Sequence, residues 1–121
     1  MTEHEPRGPE VFATDVEAAA VTDRAPTLVE SPHGKLALVR HGERVVAIDA
    51  WCPHLDGPLW EGSSADGEIA CPWHRWRYSL DSGRCTWAPA GDAEEAAETS
   101  IEVYSTALDD RGCVQVLLGP R

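Results

Sequence analysis

Two short segments constrain this chain more than any other feature: Trp51-Cys52-Pro53-His54-Leu55-Asp56-Gly57-Pro58-Leu59 and Cys71-Pro72-Trp73-His74-Arg75-Trp76-Arg77-Tyr78. Written as spacing, they read C-x-H, sixteen residues, then C-x-x-H. Each supplies one thiol and one imidazole, and each sits in a loop after a short apolar run. Gly57, Pro58, Gly62 and Gly67 mark the stretch between them as loop-rich. Two such loops can face each other and enclose a small inorganic centre.

The rest of the chain has a strand-and-turn rhythm. Val11-Phe12-Ala13 reads as a first strand, and Ala18–Val21 as either a helical turn or a link. Thr27–Glu30 runs into the turn signal Ser31-Pro32-His33-Gly34. Lys35–Arg40 and Arg44–Ala50, separated by His41-Gly42-Glu43, predict a hairpin. Ile69-Ala70, Arg77–Leu80, Ile101–Ser105 and Cys113–Leu118 complete the set, the last two flanking an Asp109-Asp110-Arg111-Gly112 turn. Strands at this spacing without a sustained helical period predict an all-β fold, a small antiparallel sandwich or barrel.

At 121 residues the chain has room for one domain, expected over residues 11–121 after a loose, proline- and glutamate-rich arm at residues 1–10. The balance of 10 Lys+Arg against 21 Asp+Glu gives a net charge of −11. Nucleic acid and anionic membrane surfaces are repelled by that charge, and a basic protein partner fits it. The densest acidic stretch is Ala88–Asp110, with seven acids and no base. It reads as a solvated loop and edge strand, with a docking surface over residues 92–110 as the alternative. The start of the sequence lacks a secretory pattern and the apolar runs are too short to span a membrane, so a soluble, cytoplasmic protein is expected. There, cysteines serve as metal ligands or buried thiols more often than as a disulfide framework. Cys85 and Cys113, outside the two segments, are expected to be buried thiols.

Two cysteines with two histidines also make a structural zinc site. Zinc fingers, however, place a close cysteine pair before a close histidine pair on a helix. Here each pair is mixed and neither lies in a helical pattern. A mixed pair per loop suits a binuclear centre in which one iron takes both thiolates and the other both imidazoles.

With these residues in view, the chain resembles the Rieske [2Fe–2S] proteins, and most of all the small soluble Rieske-type ferredoxins of bacterial ring-hydroxylating oxygenase systems. Beyond the ligand segments, the resemblance extends through Arg44–Trp51, Gly57-Pro58-Leu59, Gly67–Ala70, Tyr78–Gly83, Ile101–Tyr104 and Gly112–Val116. It implies a cluster-binding subdomain of two loops built onto the β fold. It also implies a Rieske-type [2Fe–2S] cluster with Cys52 and Cys71 on the inner iron and His54 and His74 on the outer one. Pro89 is the candidate for a third, proline-containing loop over the cluster. Reduction is expected to couple electron uptake to proton uptake at His54 and His74 at alkaline pH.

Departures from the respiratory members of the family are informative. Their extra cysteine pair, which forms a disulfide, is replaced here by Gly57 and Trp73, and a serine that donates to a cluster sulfide is replaced by Trp76. Tyr78 stands where a tyrosine donates to a ligand thiolate, and Arg75 replaces a glycine. Hydrogen-bond donors, charge and exposure set such potentials. The loss of the serine lowers the expected value while Tyr78 and Arg75 raise it, to a range on the order of −150 to +50 mV. Trp51, Trp60 and Trp87 are expected to pack the subdomain, and Trp73 and Trp76 to shield the cluster or face a partner.

The resemblance therefore implies a soluble one-electron carrier between a ferredoxin reductase and a terminal oxygenase or similar oxidoreductase. The alternative is a Rieske-like small subunit of a larger enzyme, such as an assimilatory nitrite reductase. A zinc-holding or redox-silent binding module is the third reading. No substrate chemistry is expected on this chain, since an oxygenase needs a further iron held by two histidines and a carboxylate, and no histidine follows His74.

Overall fold

The computed structural model describes residues 10–53, 56–73 and 75–118. Three antiparallel sheets make up the fold. The first joins β1 (Val11–Glu17) to β11 (Cys113–Leu117), with β10 (Thr106–Leu108) on the other side of β11. The second runs β2 (Thr27–Ser31), β3 (Gly34–His41), β4 (Arg44–Asp49) and β9 (Val103–Tyr104). The third is a meander of β5 (Ser63–Ala65), β6 (Glu68–Ala70), β7 (Arg77–Ser79) and β8 (Cys85–Trp87). One short helix, α1 (Ala93–Ala97), follows β8. The all-β class expected from the sequence is the one observed.

The central strands show why the sequence there is apolar without interruption. Successive side chains on a strand point to opposite faces, and both faces of β3 and β4 are covered. Leu36, Leu38, Val45 and Ala47 enter one core with Val29, Val114 and Val116 of the first two sheets. Their neighbours Ala37, Val39, Val46 and Ile48 enter a second core with Cys52, Leu59, Ile69, Trp76 and Tyr78. The middle sheet is thus the wall on which the two-loop subdomain is built.

Several expectations shift. The strand expected over Ile101–Ser105 contracts to Val103–Tyr104 and pairs with β4. The partner of β11 across the Asp109–Gly112 turn is instead β10, from Thr106 to Leu108. Neither β10 nor β5 has an apolar run to announce it. The acidic stretch, read as loop and edge strand, contains α1, whose Ala96 packs against the second core. Ala18–Ala20 is a 3₁₀ turn, pinned where the Arg40 guanidinium donates to the carbonyls of Ala18 and Val21. Of the arm read over residues 1–10, only Glu10 lies within the described residues; its carbonyl accepts from Leu118 N–H at 2.7 Å. Among the described residues no helix is long and apolar enough to cross a membrane.

Candidate metal centre

The two cysteine loops share one backbone design. In the first, Trp51 and Pro58 form an isolated antiparallel bridge; in the second, Ala70 and Arg77 pair at the ends of β6 and β7. Each cysteine comes one residue after its bracket opens. Cys52 N–H donates to Gly57 C=O at 2.7 Å, and Cys71 N–H to Trp76 C=O at 2.8 Å. The N–H of Asp56 returns to Cys52 C=O at 2.7 Å, and that of Arg75 to Cys71 C=O at 2.9 Å. Asp56 and Arg75, each four residues after a cysteine, both take left-handed conformations, with φ of 60° and 65°. Such φ values are uncommon outside glycine, so both loops place a side-chain-bearing residue in the same unusual geometry.

The loops are therefore equal in length and bonding, and the difference between C-x-H and C-x-x-H is one of histidine position within a common frame. His54 is the third residue of its loop counted from the bracket's cysteine and His74 the fourth. Both histidines, together with Leu55, lie outside the described residues.

Both loop cysteines are buried, and all four cysteines of the chain are free of disulfides. The hydroxyl of Tyr78 lies 3.1 Å from Cys52 Sγ, both groups being shut off from solvent. Burial, and then the hydrogen bond to Cys52, hold the Tyr78 phenol well above its ordinary pKa. It thus remains a proton donor toward the sulfur. On the other side, Gly57 clears the approach to Cys71: a Cβ at that position would stand 2.7 Å from Cys71 Sγ and 3.4 Å from the Trp73 ring. The first loop's glycine thus makes room for the second loop's thiol. At the equivalent point of the second loop stands Trp76, completely buried.

The tryptophans sort differently from the sequence expectation. Trp76 is a core residue, which removes it from any contact surface, whereas Trp73 is 56% exposed on the same loop. Trp51 and Trp87, expected to pack the subdomain, are 46% and 49% exposed; Trp60 packs on the core and meets Trp51 edge-to-face at 4.8 Å. Cys113 is buried as expected. Cys85 is only half-buried, its thiol donating to Trp87 C=O at 3.3 Å and pushed up in pKa by burial. Pro89 opens the 3₁₀ turn Ala90–Asp92 just beyond β8.

Two histidines without an assigned role proved structural. His33 pairs with Glu10 at 2.8 Å, and His41 with Asp81 at 3.0 Å. The second pair crosses from the end of β3 to the turn after β7, tying the middle sheet to the subdomain. Asp81 follows a tyrosine-bearing strand and precedes Ser82-Gly83, a turn signal, but nothing in the sequence links it to His41.

Two buried thiols on matched loops, a phenol on one and a glycine-cleared approach to the other, fit a compact group that takes a thiolate from each loop. A family model for the Rieske [2Fe-2S] domain matches residues 12–105. The chain belongs to the Rieske [2Fe–2S] family. Its cofactor is a Rieske-type [2Fe–2S] cluster.

Relatives of this Rieske domain include oxygenase components. The oxygenase component of 3-ketosteroid-9-alpha-monooxygenase from Mycobacterium tuberculosis is 45% identical over 49 residues, 40% of this chain and 12% of that protein. The oxygenase subunit of 3-chlorobenzoate-3,4-dioxygenase from Comamonas testosteroni is 29% identical over 115 residues, 93% of this chain and 26% of that protein. The chain thus spans about a quarter of that subunit's length. Among solved structures, the Sphingomonas yanoikuyae B1 ferredoxin shares the fold with a TM-score of 0.70 at 21% identity, over 94% of this chain and 100% of that one. A Rieske domain with its [2Fe–2S] cluster has an iron–sulfur electron-transfer role.

Proposed function

We propose that this Rieske domain is a soluble, cytoplasmic one-electron carrier that takes electrons from a reductase and passes them to a terminal oxygenase. In this reading Cys52 and Cys71 hold the inner iron, and His54 and His74 the outer one. The observation that carries it is the pair of matched loops with buried thiols in a chain of this family. When bound, the cluster supplies a site that accepts and releases one electron. The protein's part is to hold it. Tyr78 donates to the Cys52 sulfur, Gly57 lets the Cys71 sulfur reach the centre, and the buried Trp76 closes the inner side against water.

That the relatives reported above are oxygenase components favours an oxygenase as the electron acceptor over a nitrite reductase. The net charge of −11 favours encounter with partners of overall positive potential. The test is purification without added metal, followed by visible absorption and low-temperature electron spin resonance after dithionite reduction. A brown protein with two irons and a rhombic signal of mean g below the free-electron value is the expected result. A colourless, zinc-containing protein would overturn the reading.

A further inference from the structure

We propose that the cleft beside the second cysteine loop is a docking face for a partner protein whose contact patch carries carboxylates. Arg24, Arg75 and Arg77 line this one cleft together with Cys71 and Pro72 of the loop, and Glu61 is its single carboxylate. Arg75 and Arg77 also border an adjoining recess with the half-exposed Trp87. Trp73, more exposed still, stands on the same loop. In a chain with twice as many acids as bases, this is a local reversal of sign.

The arginines of the cleft are also available. Elsewhere most of the described bases are committed, Arg84 excepted: Arg40 to backbone carbonyls, Lys35 to Glu30, Arg44 to Asp81, and Arg111 to Asp15 and Asp109. In the cleft, Arg77 has only a long contact to Glu68 at 3.7 Å. Arg24 and Arg75 have no ion pair among the described residues. Arginine with exposed tryptophan is the composition of interface anchors, and the guanidinium fork matches carboxylates in geometry. Arg75 reaches the surface from the left-handed turn of the loop itself, so an occupant of the cleft sits against the wall that contains Cys71.

The inference rests on the carrier reading and narrows it. Long-range attraction follows the whole-molecule charge, but salt screens that field over about 8 Å at physiological strength. At contact the three arginines dominate. Whatever its overall charge, the partner meets this loop through acidic side chains, and one electron crosses from the reduced cluster to the partner's oxidised centre.

Cytochrome c supplies a matched pair of probes: the native protein, rich in lysine, and the same protein with its lysines succinylated to carboxylates. The dithionite-reduced wild type, freed of excess reductant, is mixed with each ferric form at low and at moderate salt. Electron transfer is compared with R75Q and with the double variant R24Q/R77Q, which leaves the loop sequence intact. The potential of each variant is measured alongside, and calorimetry reports the affinity of the oxidised proteins. The expected result is a loss of about three- to tenfold in rate and affinity toward the succinylated form at low salt, with the native form unchanged or faster. Equal changes toward both forms, or none toward either, would overturn the docking face while leaving the carrier reading standing. A wild type that contains no cluster and reduces neither form would overturn both.

Discussion

The phenol of Tyr78 and the thiol of Cys52 lie 3.1 Å apart in a space closed to solvent. One residue comes from a sheet strand and the other from a loop, so the subdomain's own β-structure supplies a donor to the sulfur. Hydrogen bonds to charged acceptors are stronger than neutral ones, and the sulfur carries more negative charge when the cluster is reduced.

Replacement of Tyr78 by Phe keeps the packing and removes the donor. If the bond favours the reduced state by about 1 kcal/mol, the loss lowers the potential by roughly 40 mV, since a tenfold change corresponds to 59 mV for one electron. A redox titration of Tyr78→Phe followed by visible absorption measures this, with iron content unchanged. A potential equal to that of the wild type would mean that the phenol does not bond to the sulfur in the loaded protein.

Gly57 is a restrictive position beside the Cys71 sulfur. A methyl group there would press on Cys71 Sγ from 2.7 Å. Overpacking a closed site costs about 1–3 kcal/mol, and here the displaced atom is the sulfur itself. Gly57→Ala is expected to lose most of the iron and the visible colour while keeping its β-rich far-ultraviolet dichroism. Full iron occupancy would show that the loop yields more easily than its hydrogen bonds imply.

The carrier reading separates the four cysteines by role. Cys52→Ser and Cys71→Ser should abolish the visible spectrum. Cys85→Ser should retain it, since that thiol is engaged with a backbone carbonyl and burial keeps it protonated. Cys113→Ala should also retain it, at a cost of about 1–2 kcal/mol in unfolding free energy for the emptied core position. Iron analysis of the four variants checks the assignment.

The His41–Asp81 contact gives stability a pH dependence. The hydrogen bond from His41, and then its charge, hold the Asp81 carboxyl below the usual carboxylate range. A group with a depressed folded pKa contributes stability above its unfolded value, and that contribution is lost as pH falls through the folded one. The loss therefore belongs below about pH 4. Asp81→Asn should lower Tm at neutral pH and show a shallower decline than the wild type on acidification. Parallel Tm curves for the two proteins would remove the pair from the account.

How much of this was legible in the sequence depended on whether side-chain chemistry or tertiary context carried the signal. The cysteine and histidine spacing identified the family because few chemistries need two mixed pairs. The apolar runs of β3 and β4 marked strands, and their lack of polar alternation already encoded burial on both faces. By contrast, β5 and β10 are held by their neighbours rather than by their own composition. The helix at Ala93–Ala97 was hidden among acids because its anchor is a single half-buried alanine. Trp73 and Trp76 looked alike in the sequence, and only the fold distinguishes the exposed one from the buried one. The arginine cleft was invisible for a related reason: Arg24 lies far along the chain from Arg75 and Arg77, while net charge pointed the other way.

The equal length of the two cysteine loops has a consequence for how such a site can change. The arch that closes each loop is built from backbone bonds and a bracketing pair, and the histidine falls at a different sequence position in each. Loop frame and histidine position are thus separable: the same bracket and backbone bonds occur with the histidine two residues after the cysteine in one loop and three after it in the other. A graft of one arch in place of the other would keep chain length and bracket spacing while changing the histidine's position in the loop. One backbone frame thus accommodates either histidine spacing.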